Sequence, residues 1–310
     1  MAARTLQVFN LEFPSYRDEM EVCGYRFVRV PEYRERTQQL AETVAGFREF
    51  ARQATTGSHA ITATVATPES ELPGVLAWGD PGMTALDDIL LLLSLFTSRH
   101  CFAVDRLDAG DVVVADPRQY VHGRSLKLSL PQEFVVVDDP IRANIGFEKG
   151  VASVCGVIRT QEWRDKYRRG SFLLLFREAC KRQALEASFV LCWAVLEHLF
   201  RLLNPSIPER AVWNTSGARK VAVVFREYGL DVRIREQLES GLRRFVRIRN
   251  SLIHEGVFPD DKATAHALTF VRVVEQVIAR VLSLPPADIA GATDDFHATI
   301  ISEAEGERGP

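Results

Sequence analysis

Cysteine is scarce in this chain and never paired at short range: Cys23, Cys101, Cys155, Cys180 and Cys192 are scattered, and no two stand at Cys-x-x-Cys spacing. An odd, dispersed set argues against a disulfide framework or a zinc knuckle and leaves buried, reduced thiols as the reading. The first half holds no glycine-rich nucleotide loop, no serine-centred elbow and no paired metal-ligand motif. Neither a metal nor a cofactor is therefore expected. His59, His100 and His122 are dispersed and read as ordinary surface or partly buried residues. Long apolar runs are also missing. The most apolar stretch, Ile89 to Phe96, is far too short to span a bilayer and is interrupted by Ser94. The first residues, Met-Ala-Ala-Arg-Thr-Leu-Gln-Val-Phe, hold no apolar run ending in a small-residue cleavage site, so a cytoplasmic location without a membrane partner is the expectation.

What is present is ordinary for a folded chain. Of 310 residues, 46% are hydrophobic and 25% charged, which excludes disorder as the dominant state and leaves room for two compact cores. The formal charge of -3 hides an asymmetry. Between Gln161 and Leu284 stand 21 Lys and Arg against 14 Asp and Glu, a formal +7, leaving 17 against 27 elsewhere. Only the second half is suited to a polyanion, although a charge of this size also fits an ordinary solvated surface.

Hydrophobic periodicity divides the chain in the same place. Extended signals fall at Tyr25 to Val30, Ala60 to Val65, Asp111 to Val114, Leu126 to Leu130 and Phe134 to Val137, separated by turns such as Pro73-Gly74, Pro81-Gly82 and Asp108-Ala-Gly110. One helix interrupts them. Thr84 can cap it, Asp87 falls at its third position, and Leu86, Ile89, Leu90, Leu93 and Phe96 form its apolar face. After about Thr160 the period lengthens toward 3.6. Gln161 to Gly170 reads as a linker or an exposed helix start, followed by a long helix over Phe172 to Leu203 that ends at Asn204-Pro-Ser-Ile-Pro208. Shorter helices are expected over Ala218 to Tyr228, closed by Gly229, and over Ile234 to His254. A last one covers Asp261 to Leu284 before Pro285-Pro286. The expected fold is α+β: a β-rich regulatory or recognition domain with a packed helix over residues 1–160, an all-α bundle over 161–287, and a flexible acidic tail over 288–310.

The segment Arg243-Arg-Phe-Val-Arg-Ile-Arg-Asn-Ser-Leu-Ile-His-Glu-Gly256 carries the chemistry. It places Arg249 and Asn250 just before His254, where a helix meets a glycine stop. Arginine offers a planar fork of donors to a phosphate, and a nearby imidazole can move a proton. On an ideal helix the two residues lie about 7.5 Å apart along the axis and roughly 140° apart around it, so a groove or a symmetric contact gathers them more readily than a flat face does. The same spacing occurs by chance in many helices, and a histidine in a last turn also interacts favourably with the helix carbonyl end. Arg243, Arg244 and Arg247 add positive charge within two turns and read either as a phosphate-tracking edge or as a solvated face or intramolecular pairing.

Arg249-Asn-Ser-Leu-Ile-His254 resembles the Arg-(four to six residues)-His motif of the HEPN superfamily, with a polar residue after the arginine. Trp193-Ala-Val-Leu-Glu197 is similar to that family's preceding long helix with an inward polar residue. Leu86-Asp-Asp-Ile-Leu-Leu-Leu-Leu-Ser-Leu-Phe96 resembles the β-rich domain that precedes ApeA-like HEPN domains. The resemblance implies a metal-independent endoribonuclease or RNase-like toxin or defence effector, with tRNA or mRNA among its targets and two chains joined in a homodimer around one composite site. It further implies Arg249 on the scissile phosphate, His254 in proton transfer, and Asn250 and Glu197 in support. The alternative it leaves open is a non-catalytic HEPN signalling protein that binds RNA, a nucleotide or a protein. In either case the N-terminal domain is expected to receive a regulatory protein or ligand.

Overall fold

The computed structural model describes residues 4–35, 61–104, 150–284 and 292–306, apart from positions 10, 12, 14–16, 34, 69, 71, 77–81, 98–100, 169, 182–184 and 232. The chain divides into two compact units, with the second beginning at Gln161.

The first unit is built on a five-stranded antiparallel sheet: β1 (Thr5–Phe9), β2 (Glu19–Val22), β3 (Tyr25–Arg29), β4 (Ile61–Ala66) and β5 (Phe102–Val104), in the order β2-β3-β4-β1-β5. Alternation sets its inner face. Met20 and Val22 of β2 are buried and pair with Phe27 and Tyr25 of β3, while Glu19 and Glu21 point out. The β2–β3 turn is Cys23-Gly24, with φ of 53° and 84°, the left-handed pair that a two-residue hairpin requires to match strand twist.

Helix α1 (Ala85–Thr97) packs with this sheet. Its start is a capping box: the Asp87 carboxylate accepts from the Thr84 backbone N–H at 2.7 Å and from the Thr84 hydroxyl at 3.0 Å. Leu86, Ile89, Leu90 and Leu93 are buried as the sequence spacing predicts. Asp88, also buried, accepts from the backbone N–H groups of Val75 and Leu76, and burial raises its pKa above the usual carboxylate range. Helical residues 150–158, here α2, bury Val151, Val154, Cys155 and Ile158. Cys23, Cys101, Cys155 and Cys192 are free thiols. The expected strands at Asp111 to Val114, Leu126 to Leu130 and Phe134 to Val137 lie outside the described residues, as do His59, His100 and His122.

The second unit is a helical bundle, and it decides one open expectation and corrects two. Of the two readings of Gln161 to Gly170, linker or helix start, the helix is the one observed. It is α3 (Gln161–Tyr167), whose Trp163 and Tyr167 are buried, and the Trp163 indole N–H donates to the Val281 carbonyl at 3.0 Å. The single long helix expected over Phe172 to Leu203 is two antiparallel helices, α4 (Phe172–Lys181) and α5 (Leu185–Leu203). Ser188 Oγ donates to the Ala179 carbonyl at 2.8 Å near one end, and Ser171 Oγ lies 3.2 Å from His198 Nε2 near the other. No glycine or proline stands between Lys181 and Leu185 to signal the division, so the apolar pattern runs on without punctuation.

The second correction concerns the tail. Helices α6 (Glu209–Asn214), α7 (Gly217–Glu227), α8 (Leu238–His254) and α9 (Asp261–Val281) are followed by α10 (Ala292–Gly306), which lies within the span expected to be flexible. Phe296, Ile300 and Ala304 of α10 are buried. Phe296 meets Phe225 edge-on at 5.3 Å and Phe245 at 5.7 Å. Phe245 in turn stacks on Phe270 at 5.3 Å, and Phe270 stacks on Trp193 at 5.4 Å. Each buried phenylalanine contributes roughly 2–3 kcal/mol, enough to hold a helix whose remaining residues are small and acidic. Among the described residues, no helix is long and apolar enough to cross a membrane.

Candidate functional site

The site begins with the core aromatic Trp193. It is 2% exposed, packed against both Phe270 and Phe189, and held closely against the start of α7, where a Cβ added to Gly217 would lie 3.0 Å from its ring. Its indole N–H points along α5 and donates to Glu197 Oε1 at 3.1 Å, a contact set by the four-residue spacing on one helix face. Glu197 thereby becomes a positioned carboxylate with 30% of its side chain exposed.

Arg249 reaches this carboxylate from α8. Its Nη1 stands 3.5 Å from Glu197 Oε1, and its guanidinium carbon lies 5.5 Å from the centroid of the Trp193 ring. Asn250 accepts from Arg249 Nε at 3.3 Å through its own amide oxygen. Arg249 is thus held at three points, by a carboxylate, an aromatic face and the neighbouring amide, while 26% of its side chain remains exposed. The structure brings Arg249, Asn250 and Glu197 together.

The site includes a residue that the sequence pattern did not single out. Lys220 of α7 is buried, and its Nζ lies 4.0 Å from the same Glu197 Oε1. The available signal was its position on an apolar face, one turn before the buried Val224.

His254 is the last residue of α8 and is exposed. The helix closes behind it through Gly256, whose φ is 77° and whose N–H donates to the Ser251 carbonyl at 3.1 Å. Ser251 Oγ donates to the Val257 carbonyl at 2.8 Å and fixes the exit of the chain. Among the described residues, His254 shares no hydrogen bond or ion pair with Arg249, Asn250 or Glu197. Its neighbours Ile253 and Val257 are apolar yet 53% and 56% exposed.

The basic cluster separates by environment. Arg243 is exposed, and Arg247 is half exposed with its Nη2 3.4 Å from Glu303. Arg244 is only 9% exposed and does not belong to a phosphate-tracking edge. Its Nη2 donates to both oxygens of Asp260, the nearer at 2.5 Å, and its Nε approaches Glu303 at 3.9 Å and His266 Nδ1 at 3.4 Å. Asp260 also caps α9 by accepting from the N–H groups of Lys262 and Ala263, so Arg244 joins α8 to the start of α9 and to α10. The Arg244 guanidinium holds the Asp260 carboxyl below the usual carboxylate range. Burial, and then Arg244, holds the His266 imidazole below its ordinary pKa.

Among the described residues, no three His, Cys, Asp or Glu side chains gather as a metal site. Comparisons of the chain with family models, curated proteins and solved structures find no match.

Proposed function

We propose that the chain is a HEPN-type endoribonuclease that cleaves RNA without a metal. The observation that carries this reading is Arg249, held by Glu197 and Trp193 while partly open, on the same helix that presents His254 at its exposed end. In the proposed reaction an RNA 2′-OH loses its proton and its oxygen attacks the adjacent phosphorus. The bond to the 5′ oxygen breaks and that oxygen takes up a proton, leaving a 2′,3′-cyclic phosphate and a 5′-OH. Arg249 stabilises charge on the nonbridging oxygens and His254 transfers protons. Asn250 and Glu197 orient Arg249.

Among the described residues His254 and Arg249 share no hydrogen bond or ion pair, and the exposed Ile253 and Val257 beside His254 form an apolar rim suited to a second copy of this chain. A homodimer joined there supplies the composite site. The exposed Arg243 and Arg247 follow the RNA backbone. That missing contact within the protomer also favours a second reading, a HEPN scaffold that binds RNA, a nucleotide or a protein without turnover.

The deciding experiment compares wild type and His254→Ala in EDTA on structured and single-stranded RNAs and matched DNAs, resolving the fragment termini. The expected outcome is RNA-only cleavage with 2′,3′-cyclic phosphate and 5′-OH ends, reduced at least about a hundredfold in the folded variant. Equal cleavage by a folded His254→Ala protein rejects the role given to His254. Binding without cleavage by wild type selects the second reading.

A further inference from the structure

The carboxylate of Glu197 stands against two cations, Arg249 at 3.5 Å and Lys220 at 4.0 Å, both measured to Oε1. The charges at this locus leave one positive charge uncompensated. Arg249 has other partners in Trp193 and Asn250, whereas Lys220 makes no hydrogen bond among the described residues, and 4.0 Å is beyond hydrogen-bond length. A lysine with only 10% of its side chain exposed is costly to keep charged without a close acceptor. An arrangement that leaves it so, beside an open arginine and a carboxylate, is suited to an added anion.

We propose that Lys220 and Arg249 together form the binding site for one phosphodiester group of RNA, with the Glu197 carboxylate holding the two cations in place when no phosphate is bound. This rests on the ribonuclease reading for the identity of the ligand. A phosphodiester carries one negative charge and two nonbridging oxygens, matching the single uncompensated charge here. The arginine fork suits one edge of the group, and the lysine ammonium acts as a compact charge on the other. Glu197 opposes the incoming phosphate by like charge while keeping both cations in position. The amide of a glutamine in its place retains an oxygen acceptor for the Trp193 indole N–H and removes that opposition.

The test measures binding of a 2′-O-methyl RNA oligonucleotide, which has the phosphates but no attacking hydroxyl, over a salt series. Lys220→Met keeps the apolar stem. It is expected to bind about tenfold more weakly, with the slope of log affinity against log salt reduced by about 0.7, while Lys220→Arg stays near wild type. Glu197→Gln is expected to bind several-fold more tightly. Unchanged binding by a folded Lys220→Met protein overturns the proposal. So does weaker binding by Glu197→Gln, which is what a purely structural role for the carboxylate gives, and so does absence of binding by wild type at low salt. Should Lys220→Met not fold, Glu197→Gln decides: tighter binding supports the phosphate site, and unchanged or weaker binding overturns it. Unmodified RNA run in parallel separates this proposal from the reaction: intact binding with no cleavage removes the ribonuclease reading and leaves the phosphate site standing.

Discussion

Arg244 and Arg249 lie five residues apart on one helix and do different work. About 100° per residue turns them roughly 140° away from each other, so Arg249 faces α5 and the open site while Arg244 is buried against the start of α9. Replacing Arg244 with alanine removes the tie between three helices and, among the described residues, leaves Asp260 with only its capping N–H groups and Glu303 with only Arg247. A loss of about 2 kcal/mol is expected, discounted from the cost of breaking a fully buried pair because 44% of the Asp260 side chain is exposed. Arg243→Ala, at an exposed position, is expected to change stability by less than about 0.5 kcal/mol. Thermal melts of the two variants check the contrast, and equal destabilisation contradicts the division of the cluster. The sequence shows Arg249 and Asn250 just before His254 at a helix end, and the resemblance to the HEPN motif added Glu197 as a supporting candidate. It does not show which distant carboxylate meets which arginine. Intramolecular pairing was one reading of the basic cluster, but the sequence could not assign it to Arg244 because Asp260 and Glu303 reach that residue only through the packing of α9 and α10.

Among the elements, α10 shows how a short apolar set can decide a structure. Phe296, Ile300 and Ala304 recur every four residues in a segment otherwise dominated by small and acidic side chains, and α9 ends at Val281, three residues before the expected Leu284 and ahead of Pro285-Pro286. The proline stop gave the segment beyond it the look of a tail, because its weak apolar stripe becomes a packing surface only beside α8. There Gly241 allows close approach: a Cβ at that position would lie 2.9 Å from the Ile300 Cα and would collide with its carbonyl oxygen. Gly241→Ala is therefore expected to destabilise the protein by about 2 kcal/mol through overpacking against α10, even though alanine favours helix in isolation. Faster amide exchange confined to α10 and its contacts on α8 is the accompanying signature. A variant as stable as wild type rules out the close crossing. The division of Phe172 to Leu203 into α4 and α5 was illegible for the complementary reason: an uninterrupted apolar pattern can be read along one helix or across two that pack together.

On the scale of the whole molecule, the residues at issue all belong to the unit that begins at Gln161: Glu197, Lys220, Arg249, Asn250 and His254. That unit has its own aromatic core, running through Trp193, Phe225, Phe245, Phe270 and Phe296. A chain of about 150 residues buries roughly 70% of the surface that it exposes when unfolded, enough for independent folding. Residues 161–310 expressed alone are accordingly expected to be helical, to melt in one cooperative transition and to retain the RNA binding proposed for Lys220 and Arg249. The boundary at the other end is as informative. A fragment of residues 161–287 loses α10, and with it Phe296 from between Phe225 and Phe245 and Glu303 from beside Arg244. It exposes the core and leaves a buried arginine with one partner fewer, so its melt is expected to be broad or absent. Circular dichroism melts of the two fragments provide the comparison. Equal, cooperative unfolding of both means that α10 is dispensable, whereas loss of cooperativity in the shorter one alone makes the terminal helix part of the bundle that holds Arg249 in place.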